Sequence, residues 1–272
     1  MERLAVIGNV SRDRTHYPDH RGGTRLGGAA LLVSLASGKA GRLAAPVCVL
    51  GNDLAHLPGT PGLNGLDWSA HRRADGPSAT FELMYDGEGE LVAVRAGYGV
   101  AEGLTAHALA HVDERPDGTY HVCCRHPLDV SAVLHRLTSH GAAFSVDFFL
   151  PSAGEMIRAA ARWLPKATAV FVNAAEYRLL NSVLDTACLP EVIVTDGPRA
   201  AQVRRFGRLT ASVLPPPRSA REVTGAGDTL AGTFLALRSY GAAPREALTG
   251  GVAAAAEYVS APPLPIPAPR PV

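Results

Sequence analysis

Short apolar runs and longer amphipathic runs alternate along most of this chain. LAVIGNV (4–10) closes on Gly and Asn, the pattern of a strand buried on both faces of a parallel sheet. APVCVLGNDL (45–54) repeats it and ends in a polar turn. Between them, residues 11–26 are polar, with Pro18, Gly22 and Gly23, and read as a loop or an edge-strand excursion. Residues 27–41 start with glycines and turn helical, with Leu31, Leu32 and Leu35 on one side. Residues 56–78 are rich in Gly and Pro and have no clear period. At 80–95 two strand-like runs flank Asp86-Gly87-Glu88-Gly89, a hairpin signal. Strands then recur at 119–125, 142–149, 169–173 and 191–197. Helical patterns separate them at 131–141, where Gly141 is the stop, and at 154–167 and 175–184. A second hairpin is predicted at 200–215, a long helix after residue 225 and another helix at 246–260. The Pro-rich tail reads as extended or disordered.

The alternation predicts an α/β domain: a doubly wound, mainly parallel sheet flanked by helices, with a small β lid. The domain takes residues 1–260, with the lid hairpin at about 80–95 and part of 11–26, and the tail takes 261–272. Ligands of such sheets lie outside the carboxyl ends of the strands. That rule singles out residues 8–13, 52–53, 147, 173–176, 195–197 and 225–228.

Composition narrows the function. An apolar content of 47% over 272 residues supports a sizeable core. A net charge of +1 gives no overall attraction to nucleic acid or anionic membranes. Cys48, Cys123, Cys124 and Cys188 show no C-x-x-C spacing, which suits buried thiols in a reducing, cytoplasmic setting. The N-terminus lacks a signal-peptide pattern and no apolar run approaches a membrane span. His107 and His111 stand four apart without H-E-x-x-H and read as a solvated helix face. Cys123, Cys124 and His126 lie too close along a strand to share one metal.

The chemistry concentrates in REVTGAGDTLAGTF. Gly225, Ala226 and Gly227 bare backbone amides at a helix N-terminus, the makings of an anion hole, and Thr224 adds a hydroxyl. Asp228 either caps that helix or, beside a bound anion, accepts the proton of an attacking hydroxyl. No G-x-x-x-x-G-K-[ST] loop occurs, and Leu230 breaks the G-x-G-x-x-G fingerprint.

VTGAGDTLAGTF (223–234) resembles the C-terminal signature of the ribokinase-like PfkB carbohydrate kinases. Gly27-Gly28, the Gly51–Asp53 turn, the N-x-x-E set Asn173 and Glu176, and the T-x-G set Thr195 and Gly197 resemble further family motifs in the right order. The resemblance implies an ATP- and Mg²⁺-dependent transfer of a γ-phosphoryl group to a hydroxyl of a sugar or nucleoside. It implies Asp228 as base and the amides of Gly225, Ala226 and Gly227 as the anion hole. Asn173, Glu176, Thr195, Gly197 and Thr224 are then cofactor-binding, with Glu176 on magnesium through water, and Asp13, Gly27 and Gly28 substrate-binding. Asn173 and Glu176 also fit a helix capping box. Leu32 stands where the family has a substrate-contacting Asn, which implies a less hydroxylated or differently oriented substrate. A non-catalytic sugar- or nucleoside-binding regulator of the same fold is the alternative. The lid hairpin, marginal if isolated, predicts cover from a second copy in a homodimer.

Overall fold

The computed structural model describes residues 3–19 and 22–268. β1 (Leu4–Ile7), β4 (Ala44–Val47), β9 (Thr119–Cys124), β10 (Ala143–Phe148), β11 (Val170–Asn173) and β12 (Val192–Thr195) form a parallel sheet. The hairpin of β13 (Ala201–Arg205) and β14 (Arg208–Val213) extends it antiparallel, giving the order β14-β13-β12-β11-β10-β9-β1-β4. Helices cover both faces, as buried parallel strands require. α2 (Leu104–Glu114), α3 (Val130–His140), α4 (Leu150–Ala160) and α5 (Ala174–Val183) pack on Ala5, Ile7, Val122 and Val146. α1 (Ala29–Lys39), α6 (Ala226–Ser239) and α7 (Pro244–Ser260) pack on Leu4, Val6, Phe171 and Ile193. Alternate residues of each strand thus serve opposite layers.

A second sheet, in the order β3-β2-β7-β8, stands apart from the first. It comprises β2 (Ser11–His16), β3 (Gly22–Gly27), β7 (Ala79–Tyr85) and β8 (Leu91–Gly97). The polar stretch after β1 is therefore strand, joined to the hairpin expected near 80–95 by parallel β2–β7 pairing. The apolar side of this lid, Tyr17, Leu83 and Tyr85, packs against Phe149 and Val223 of the body. Part of the cover this hairpin needs is thus supplied within the chain. The small pair β5 (Val49–Leu50) and β6 (Arg72–Arg73) completes the strands among the described residues.

Three local details depart from expectation. α4 begins at Leu150, four residues early, because Pro151 occupies the first turn, where its missing N–H costs nothing. His111 is buried, not solvated: its ring stands edge-on to Tyr120 at 6.3 Å, and burial lowers its pKa to about 4. The tail through Ala268 is extended but docked. Leu26 N–H donates to the Leu264 carbonyl at 2.8 Å, and Leu264 and Ile266 pack against Leu26, Leu50 and Leu57. No helix among the described residues is long and apolar enough to cross a membrane.

Gly28 caps α1 at φ 95°, and a Cβ there would lie 2.3 Å from the Asn9 carbonyl oxygen. Gly28→Ala is expected to destabilise the fold by about 2 kcal/mol or more. Gly38, in α1 with open space around it, is expected to gain up to about 1 kcal/mol as Ala. Urea denaturation checks both; equal midpoints would contradict the strain at Gly28.

Candidate active site

The turn into α6 is built on Gly225. It holds φ 93°, and a Cβ on it would meet Leu32 Cδ1 at 2.4 Å and the Tyr258 hydroxyl at 2.8 Å. Only glycine fits both the left-handed backbone and this contact. Leu32, 4% exposed, therefore acts as a floor for the turn rather than as a free substrate contact. Asp228 is the third residue of α6 and makes no capping bond, so the purely capping role does not hold. The amides are not equivalent. Ala226 N–H donates to the Val223 carbonyl at 3.2 Å, and Ala226 does not line the cleft. This corrects the expectation of three amides: the tight turn closes on itself at Ala226. The N–H groups of Gly225, Gly227 and Asp228 have no hydrogen-bond partner among the described residues and belong to cleft-lining positions.

The cleft has a volume of about 430 Å³. Asn173, Glu176, Thr195 and Gly197 line it from the ends of β11 and β12, opposite Thr224, Gly225, Gly227 and Asp228. Asn173 and Glu176 do form the capping box: Asn173 N–H donates to Glu176 at 2.8 Å and Glu176 N–H to Asn173 Oδ1 at 2.9 Å. The other Glu176 carboxylate oxygen has no partner among the described residues. Burial, partly offset by the Asn173 amide and reinforced by Asp147, raises Glu176 to about 7. Thr195 Oγ1 leans on the Val172 carbonyl at 3.5 Å. The Thr224 hydroxyl is 2.5 Å from Tyr85 of the lid, so it ties the lid down rather than pointing free into the cleft.

Arg125, just past β9, lies between two acids. It donates to Asp147 and stands 3.7 Å from Asp228 Oδ1. Burial opposes its charge, but Asp147 and Asp228 more than restore it. Burial raises Asp228 to about 6, against the pull of Arg125 and with Asp147 adding to the rise. An acid held there has more affinity for a proton than one in water, while remaining ionised near neutrality.

A second buried cluster joins lid to turn. Glu222, 1% exposed, accepts from Thr15 at 2.8 Å, Tyr17 at 2.6 Å and Thr224 N–H at 2.9 Å, with Arg25 at 3.3 Å. Burial would raise its pKa, but Tyr17, Arg25 and the Thr224 amide outweigh it and hold it low. Arg25 also donates to the Thr224 carbonyl at 2.9 Å and the Tyr258 hydroxyl at 2.7 Å.

Asp13, on β2, does not line this cleft; neither do Gly27 and Gly28. The three nevertheless cluster: a Cβ on Gly27 would fall 1.9 Å from Asp13 Oδ2. Asp13 is close enough to Asp228 and Glu222 for their charges to act on it. Sequence reasoning missed Arg125, Arg25 and Glu222. One signal pointed to the first: Arg125 follows a parallel strand, where ligand contacts gather.

A family model described as pfkB family carbohydrate kinase matches residues 1–269. Among solved structures, a nucleoside kinase from Burkholderia thailandensis in complex with inosine has a TM-score of 0.80 at 19% identity, over 95% of this chain and 91% of that one. A nucleoside kinase from Methanocaldococcus jannaschii gives 0.76 at 16%, over 97% and 95%. A ribokinase from Cryptococcus neoformans in complex with ADP gives 0.75 at 17%, over 97% and 95%. These likenesses show a ribokinase-like fold. No curated protein matches by sequence.

Burial raises Asp13 from 3.8 to about 6, against Ser11 and Arg25. The folded chain holds that proton more tightly than the unfolded one. The stabilisation is full below the unfolded value and is lost as pH rises through about 6. Two pKa units correspond to about 3 kcal/mol at most. Asp13→Asn is expected to raise stability by about 1–3 kcal/mol at about pH 8 and to change it little at about pH 4. Urea midpoints at the two pH values check this; an equal effect at both would contradict it.

Proposed function

Because the chain belongs to the pfkB family of carbohydrate kinases, we propose that it transfers the γ-phosphoryl group of ATP to a hydroxyl of a sugar or nucleoside. The observation that carries this reading is the placement of Asp228: largely withdrawn from water, raised to about 6, making no capping bond, and beside amides at the mouth of α6 that have no partner among the described residues.

In this reading the acceptor hydroxyl lies between Asp228 and the γ-phosphate. A new O–P bond forms, the bridging P–O bond breaks, and ADP leaves with the electron pair. The hydroxyl proton passes to the Asp228 carboxylate, late in a loose transition state. The amides of Gly225, Gly227 and Asp228 hold negative charge on the phosphoryl oxygens, aided by Arg125. Asn173, Glu176, Thr195 and Gly197 form the nucleotide side. Asp13, with Gly27 and Gly28 allowing its close approach, holds substrate hydroxyls, since a carboxylate accepts from two adjacent hydroxyls. The lid closes over them through the Tyr85–Thr224 and Glu222 contacts and excludes water. Solved neighbours in complex with inosine and with ADP support a nucleoside or sugar acceptor and an adenine nucleotide donor.

Magnesium suits the chemistry of this site. Glu176 and Asp228 bring two carboxylates to the cleft, and one Glu176 oxygen has no hydrogen-bond partner among the described residues. Glu176 would hold the ion through water, and the ion would neutralise phosphate charge.

Asp228→Asn is expected to lower kcat by about 10²–10⁴-fold, the usual range for a positioned base. ADP binding, measured by calorimetry, should be little changed. Phosphoryl transfer at the wild-type rate would contradict the assignment.

A further inference from the structure

The centre of the main sheet carries a polar group that phosphoryl transfer does not require. In-register pairing sets His121 beside Ser145 and Cys123 beside Asp147, on strands β9 and β10. Residues two apart on a strand share a face, so all four point into the layer beneath α6. Central parallel strands are normally apolar on both faces. Here the His121 ring, the Cys123 thiol and the Asp147 carboxylate are all buried, and their donor atoms lie within 4.8 Å of one another.

Hydrogen-bond accounting leaves this cluster incomplete. The Ser145 hydroxyl donates to the Tyr120 carbonyl at 3.4 Å and therefore accepts from His121 Nδ1 at 2.9 Å. A neutral imidazole protonated at Nδ1 bares a lone pair at Nε2. That lone pair faces Asp147 Oδ1 at 3.8 Å, and neither atom has a hydrogen-bond partner among the described residues. The other Asp147 oxygen accepts from Arg125. Two bare acceptors confronting each other inside the fold, with a thiol at their side, call for a cation.

We propose that His121 Nε2, Cys123 Sγ and Asp147 Oδ1 form a zinc-binding site at the base of the cleft, separate from the magnesium position at Glu176. Nitrogen, sulfur and oxygen donors together match a borderline-soft ion better than a hard one. Tetrahedral donors around zinc stand roughly 3.3–3.8 Å apart, so closing this set requires shifts of about 1 Å or less. Ser145 fixes the imidazole tautomer through Nδ1, as partners of metal-bound histidines do. Binding displaces the Cys123 proton to solvent, and thiolate, carboxylate and Zn²⁺ then sum to no net charge. The fourth position is left for water.

Cobalt(II) is the probe, because a cobalt–thiolate bond gives a near-ultraviolet charge-transfer band. The full chain carries Cys188→Ser to remove the exposed thiol. About one Co²⁺ per chain is expected to give the band, and Zn²⁺ to abolish it. Cys123→Ser should lose the band and His121→Gln should weaken it, while Glu176→Gln retains it. Circular dichroism confirms folding of each variant. If Cys123→Ser does not fold, His121→Gln and the zinc content of the purified wild-type chain decide. A folded chain with no band and no zinc, or a band that survives Cys123→Ser, would overturn the proposal.

Discussion

The burial of carboxylates around the mouth of α6 is the constraint that organises this molecule. Asp13, Asp147, Glu176, Glu222 and Asp228 are all largely withdrawn from water. Isolated buried charges are far too costly to tolerate, so each must be neutralised, paired or hydrogen-bonded. The chain uses two arginines, Arg25 fully buried and Arg125 largely so. Arg125 serves Asp147 and Asp228; Arg25 serves Glu222 and acts on Asp13. Burial outweighs the pull of these arginines and raises Asp13 and Asp228 to about 6 and Glu176 to about 7.

The backbone around these charges has little freedom. Gly225 is pinned between Leu32 and Tyr258, and Tyr258 donates to the Thr224 carbonyl at 3.0 Å. The lid reaches Glu222, Val223 and Thr224 through Thr15, Tyr17 and Tyr85. Lid position and amide orientation are therefore linked physically: moving β2 or β7 pulls on residues 222–224, directly before the free amides.

Much of the architecture was legible in the sequence, because buried parallel strands and amphipathic helices differ in period. The parallel strands, the Gly141 stop and the hairpin near 80–95 follow from that. The second half of the lid was harder. Residues 11–16 alternate, but their inward positions are Ser11, Asp13 and Thr15, so hydrophobicity gives no signal. Most of the cleft was visible through its motifs, since glycines and capping residues mark backbone geometry. Arg125, Arg25 and Glu222 were not, because each acts through a partner distant in the chain. The Ala226 amide is turned inward for a reason no motif shows, a tight turn that closes on the Val223 carbonyl.

The account rests on phosphoryl transfer at Asp228. Phosphorus NMR of the wild-type chain with ATP, Mg²⁺ and a panel of nucleosides and sugars tests it most directly. The expected result is a new phosphomonoester resonance that grows in step with ADP for at least one acceptor. ATP left intact across the panel, or cleaved to ADP and inorganic phosphate alone, would contradict it.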